Sequence, residues 1–255
     1  MNPVIVKNLK IGEGIPKICV PIVGTTLEEI VNEAKALSDI PKDLVEWRAD
    51  WYGEVFDEEK VVTVLGILRE IMGKTPILFT FRTAKEGGER EIADDKYKSL
   101  NCLAAGSGKV DLIDVEIFSE EKTVKSIITF SHEKKVKIIA SNHDFKKTPE
   151  KEEIIKRLQK MQDMGADILK IAVMPQSKRD ILTLLEATEE MVTNYANQPV
   201  VTMSMSGEGS ISRVAGEIFG SSITFGSAKR VSAPGQISAK ALKKVLEILH
   251  ESLLI

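Results

Sequence analysis

Residues 137–174 read KIIASNHDFKKTPEKEEIIKRLQKMQDMGADILKIAVM, a complete strand–helix–strand unit. KIIASNH (137–143) and ILKIAVM (168–174) are short, apolar and rich in β-branched residues, as buried parallel strands are. The charged stretch between them carries apolar residues at helical spacing. Thr148 before Pro149 predicts its N-cap, and Gly165 its stop. The same unit recurs along the chain. Further strand-like runs are KICVPIV (17–23), LVEWRAD (44–50), PILFTFR (76–82), LIDVEIF (112–118), VVTMSMS (200–206) and SITFGSA (222–228), with amphipathic segments between them. Eight β-then-α repeats at a spacing of roughly 30 residues predict an α/β chain folded as a (β/α)8 TIM barrel. An open doubly wound sheet fits less well, because a glycine-rich first turn is absent. No Pro/Gly/Ser linker interrupts the pattern, so residues 1–255 read as one barrel domain. Residues 4–10 (VIVKNLK) are expected to form a strand or hairpin capping the barrel bottom.

Alternate residues of a barrel strand face the interior, and barrel active sites form at the C-terminal ends of the strands. In LVEWRAD the apolar set is Val45, Trp47 and Ala49, which leaves Glu46, Arg48 and Asp50 pointing inward. PILFTFR aims Thr80 and Arg82 inward, LIDVEIF aims Asp114 and Glu116, and KIIASNH aims Ile139, Ser141 and His143. Lys170 shares its parity with Ile168 and Ala172 in the sixth run. Five consecutive strands thus direct polar groups at one interior, where a packed barrel would carry Val, Ile and Leu. A structural ion network explains isolated members of this set, since buried ion pairs do occur. The convergence points instead to a lined pocket. Burial disfavours the charged form of a lysine, so Lys170 is a candidate amine nucleophile towards carbonyls. His143, on the neighbouring strand, is a candidate general base within reach of the same substrate.

Composition narrows the function classes. The chain has 255 residues, 43% of them hydrophobic and 29% charged, with a formal net charge of -3. That balance offers no basic footprint for nucleic acid. Cys19 and Cys102 lie far apart and form neither a disulfide framework nor a zinc spacing. No metal or nucleotide motif occurs. The first ten residues lack a continuous apolar signal-peptide core, and no uncharged run approaches the ~20 residues of a membrane span. The expectation is a soluble, cytoplasmic enzyme acting on a small molecule.

DVEI (114–117), a gap of twenty residues, and IIASNHD (138–144) resemble the signature of type I 3-dehydroquinate dehydratases. The resemblance extends over the whole chain through EWRAD (46–50), FTFR (79–82) with EGGE (86–89), DILKIAV (167–173), MSMSGEGSISR (203–213) and SAPGQIS (232–238). It implies a (β/α)8 barrel, a homodimer, no cofactor, and dehydration of 3-dehydroquinate to 3-dehydroshikimate. By the same resemblance Lys170 forms a Schiff base with the substrate ketone, His143 is the general acid and base, and Glu86 orients His143. Glu46, Arg48, Arg82, Arg213, Ser232 and Gln236 would contact substrate, with Arg213 pairing its carboxylate. The eleven residues 228–238 exceed an ordinary β-to-α turn and suit a loop that closes over a ligand. An alternative from the residues alone keeps the Schiff base but changes the bond broken: a class I aldolase or transaldolase on a sugar phosphate. Gly207, Gly209 and Gly226 would then serve a phosphate site at strands seven and eight.

Overall fold

The alternation along the strands resolves into two separate cores in the computed structural model, which describes residues 2–228 and 233–254. The barrel strands are β1 (Lys17–Ile22), β2 (Leu44–Arg48), β3 (Ile77–Thr80), β4 (Leu112–Glu116), β5 (Lys137–Asp144), β6 (Ile168–Val173), β7 (Val200–Ser204) and β8 (Ile223–Ser227). They pair in parallel, each with its sequence neighbour from β1 through β7, and β8 lies against β1. The ring closes between β7 and β8, where the Ser222 amide donates to the Val200 carbonyl at 2.8 Å. One face of each strand, including Val45, Trp47, Ile77, Phe79, Ile113 and Val115, packs against the surrounding helices. The other face forms a smaller inner core from Cys19, Leu44, Leu78, Leu112, Ile139, Ile168, Val201 and Ile223. Each of the eight strands supplies one of these residues, so the lower barrel is filled with apolar side chains.

The helices are α1 (Leu27–Ala36), α2 (Glu58–Met72), α3 (Asp94–Gly106), α4 (Glu121–Glu133), α5 (Lys151–Asp163), α6 (Lys178–Asn194), α7 (Ser210–Val214), α8 (Gly216–Phe219) and α9 (Ala239–Leu253). Side-chain oxygens of Thr26, Asp57 and Ser238 accept amide hydrogens in the first turns of α1, α2 and α9. Each satisfies an N–H group that the helix itself leaves open. The start of α5 differs from the sequence expectation: its N-cap is Glu150, and the Thr148 hydroxyl donates instead to the Met174 carbonyl. Gly165 does end that helix region, with φ at +89°.

The bottom of the barrel is sealed in two ways. Strands Val4–Val6 and Leu9–Ile11 form an antiparallel hairpin, and Val6 and Ile11 join the inner core from below. The expected cap is therefore present. Asp43, Asp111 and Asp167, each just before an even-numbered strand, accept the amides of Ile18, Ile77 and Ile138 at 2.7–2.8 Å. Three carboxylates thus satisfy amides at the starts of three odd-numbered strands. With the bottom closed by apolar side chains, the polar inward residues lie above it, towards the C-terminal ends of the strands.

Candidate active site

Lys170 stands just above the apolar layer, on β6, and is 4% exposed. Its Nζ donates to Asp114 Oδ2 at 3.0 Å and sits 4.7 Å from the centre of the Phe225 ring. Asp114 is fully buried and also accepts from Arg82 Nη2 at 2.7 Å and from Ser141 Oγ at 2.6 Å. Burial works against its charge, but the adjoining Arg82 and Lys170 hold the carboxyl down at about 2. Asp114 is therefore the fixed anion of the floor.

Register refines the relation between Lys170 and His143. Ser141 pairs with Lys170 and His143 with Ala172, so the imidazole is two residues nearer the mouth than the amine. Both line one cleft with Glu46, Arg48, Met203 and Arg213. His143 Nδ1 lies 3.0 Å from Glu86 Oε2, which also accepts the His143 main-chain amide at 2.9 Å. Burial, followed by the charges of Arg82, Lys170 and Arg48, pushes the imidazole well below its usual range. Both effects favour the neutral imidazole. Burial lifts Glu86 in the other direction, to about 7, aided by Glu116 and opposed by Arg82 and by its hydrogen bonds.

Glu86 owes its placement to the two glycines after it. A Cβ on Gly88 would lie 1.9 Å from the Arg82 carbonyl oxygen, and Gly87 has φ of +81°. Only this tight turn, closed by the Gly88 amide on Thr83 O, returns the chain so that Glu86 faces β5.

The arginines fall into two groups. Arg48 forks onto Asp50 through Nε and Nη2, both at 2.8 Å. Arg82 reaches Glu116 and Ser141 through Nη1 and Asp114 through Nη2, so much of its donor capacity serves the frame of the cleft. Glu46 accepts from Thr80 Oγ1 at 2.8 Å. Arg213, only 2% exposed, differs from all of these. Among the described residues it has no carboxylate partner. Its Nη2 donates to the Pro234 carbonyl at 3.0 Å, Nη1 lies 4.0 Å from Met203 Sδ, and Nε is buried without a partner. Burial alone pulls this guanidinium down to about 10. A buried cation without its counter-ion is a site for an anion.

Gln236 and Ala233 close the cleft from the loop after β8. Gly235 packs so tightly on Ser206 that a Cβ would lie 1.9 Å from its carbonyl oxygen. Ile237–Ser238 then pairs with Gly226–Ser227 and anchors the loop's far end. Ser232 lies outside the described residues. Every other site residue expected from the sequence meets at the mouth of the barrel. Sequence reasoning passed over Asn142, Asp50 as the clamp on Arg48, and Phe225 under the lysine. Phe225 had a usable signal, since it shares the inward parity of β8.

A family model described as type I 3-dehydroquinase matches residues 18–253. The chain belongs to the type I 3-dehydroquinase family. The 3-dehydroquinate dehydratase of Listeria monocytogenes is 55% identical over 251 residues, covering 98% of this chain and 99% of that protein. That of Clostridioides difficile is 55% identical, covering 97% of each. The crystal structure of a type I 3-dehydroquinate dehydratase from Clostridium difficile, described as carrying covalent modified comenic acid, superposes with a TM-score of 0.96 at 55% identity. It covers 99% of this chain and 100% of that one. A Geobacillus kaustophilus 3-dehydroquinate dehydratase gives a TM-score of 0.95 at 38% identity, covering 98% and 97%. For a type I 3-dehydroquinase, the glycines after β7 and in β8 need no phosphate. The Cβ position of Gly209 falls 2.2 Å from Ser204 O and that of Gly226 falls 2.9 Å from Ala239 Cα, so close packing accounts for these two, whereas a Cβ on Gly207 would meet nothing within 4 Å.

Proposed function

We propose that this type I 3-dehydroquinase removes water from 3-dehydroquinate through a Schiff base on Lys170. The observation that carries the reading is the grouping of three features in one cleft. Lys170 lies buried two residues below the His143 imidazole, and a buried guanidinium without a carboxylate partner among the described residues lines the same cleft. The substrate is a β-hydroxy ketone bearing a carboxylate. Arg213 pairs that carboxylate, and its fork suits two parallel hydrogen bonds. Lys170 Nζ, after giving up a proton to solvent, adds to the ketone carbon, and loss of water from the carbinolamine leaves a protonated imine. The iminium draws electrons from the adjacent carbon, which makes its proton removable by a base of ordinary strength. His143 takes that proton at Nε2. The electron pair forms the enamine and then expels the β-hydroxyl, which receives the proton back from His143. Hydrolysis of the product imine frees 3-dehydroshikimate and the lysine.

Glu86 decides whether His143 can act as base. An ionised carboxylate only accepts, so Nδ1 carries the ring proton and Nε2 presents its lone pair. Protonated Glu86 can donate to Nδ1 and drive the ring proton onto Nε2. Glu46, Arg48, Arg82, Gln236 and Ser232 contact the remaining hydroxyls in this reading, and no cofactor is needed. The same family likeness supports a homodimer. Ile218 on α8 and Val245 and Ile248 on α9 are exposed, and His250 joins the two helices by bonding Glu217, so an apolar face is available for a second copy. Among the described residues no helix is long and apolar enough to cross a membrane, in keeping with a cytoplasmic place in the shikimate pathway.

The test is turnover of 3-dehydroquinate, followed by the ultraviolet absorbance of the conjugated enone product across pH. Wild type should lose kcat/KM as pH falls through about 7, and Glu86→Gln should abolish that limb while lowering the plateau. A chain inert towards 3-dehydroquinate would overturn the reading. A limb that survives Glu86→Gln would remove Glu86 from its role.

A further inference from the structure

Asn142 lies between the two inward residues Ser141 and His143 on β5, so its side chain leaves the barrel on the opposite face. There it lines a second groove with Thr83, Glu116 and Phe118, which reaches Glu86 and His143 from the side away from Lys170. It is 7% exposed and both ends of its amide are occupied. Oδ1 accepts from Arg157 Nη1 at 3.0 Å, and Nδ2 donates to Glu86 Oε1 at 3.0 Å. Arg157 comes from α5 and is itself held by Glu153 at 2.8 Å and Asp144 at 3.6 Å.

This arrangement has one possible orientation. A guanidinium is a donor only, so the oxygen of Asn142 must face Arg157 and the amino group must face Glu86. An amino group in turn requires an acceptor. It favours the ionised carboxylate and pins Oε1, which leaves Oε2 for the two N–H groups of His143. Other charged groups also face this carboxyl: Arg82 from the segment just after β3, at 3.6 Å, and Glu116 from β4, while His143 meets it from β5. Among these neighbours Asn142 is uncharged, has its hydrogen-bond direction fixed from outside the barrel, and takes no part in the proposed proton transfer.

We propose that Asn142, oriented by Arg157, is a positioning residue that keeps Glu86 ionised and aimed at His143 Nδ1 during catalysis. The proposal rests on the reading of Glu86 and His143 given above. An asparagine that merely filled its place in β5 would not couple to the protonation of Glu86.

The experiment is the pH profile of kcat/KM for wild type, Asn142→Ala and Arg157→Met, with borohydride trapping on Lys170 as a check that the site is assembled. Loss of one hydrogen bond to a charged group should move the acid limb of Asn142→Ala up by about one pH unit. Activity at pH 6 should then drop about tenfold, while the high-pH plateau stays within about threefold of wild type. Arg157→Met frees the amide to flip and should shift the limb in the same direction by less. Its side chain is 19% exposed, so this variant also serves if Asn142→Ala does not fold. A uniform loss at all pH values, or an unmoved limb in both variants, overturns the positioning role alone. If wild type has no limb that Glu86→Gln removes, the reading of Glu86 fails and this proposal fails with it.

Discussion

Arg213 and Arg82 carry the same side chain, yet the protein uses them differently. Burial works against the charge of Arg82 too, but Asp114, Glu116 and Glu86 around it outweigh that and push its pKa well above the usual guanidinium range. Arg213 has only a carbonyl and a thioether within reach among its described partners, and burial destabilises its charge. A ligand carboxylate would restore what Arg213 lacks and would add little at Arg82. Arg213→Gln should therefore raise KM for 3-dehydroquinate by about 10- to 100-fold, the scale of a lost charge-assisted hydrogen bond. The value of kcat should change much less, and steady-state kinetics reads both. A collapse of kcat at unchanged KM would place Arg213 in the chemical step instead.

At the scale of elements, the strands announced themselves and the connections did not. Period-two alternation correctly divided Trp47 from Glu46 and Arg48, and Ile113 from Asp114, because each strand packs helices on one face and lines the interior on the other. That placed Lys170 and His143 in one cleft. Asn142 was not legible, since an outward polar residue on a buried strand has meaning only once Arg157 and Glu86 are known to reach it. Thr148 before Pro149 points to a helix start too early in the chain, because a helix can begin after such a pair as well as within it, and α5 is capped at Glu150. The loop after β8 showed its length in sequence but not its seat. Gly235 has φ of +74° and no room for a Cβ above Ser206. Gly235→Ala should keep the loop from seating, and raise KM by about tenfold while leaving the melting temperature near that of wild type. A variant with unchanged KM would show that this contact does not serve binding.

Over the whole molecule, the site's charges tie stability to pH with opposite signs. Asp114 is held at about 2, below its unfolded value, so its contribution is present above about 4 and is lost as pH falls through 2. Glu86 is raised to about 7, so its contribution is present below about 4 and is lost as pH rises through 7. Between pH 5 and 8 the melting temperature of wild type should therefore fall relative to that of Glu86→Gln, which cannot titrate there. Parallel curves would show that Glu86 has an ordinary acidity in the folded protein. The apolar lower barrel and its hairpin cap make such polar crowding at the mouth tolerable, since they supply burial that the cleft does not. The central claim concerns one covalent bond at this mouth, and borohydride reduction during turnover of 3-dehydroquinate measures it directly. Peptide mass analysis should find the reduced substrate adduct on Lys170, with none in Lys170→Ala. An enzyme that turns over under these conditions with Lys170 unmodified would contradict the account.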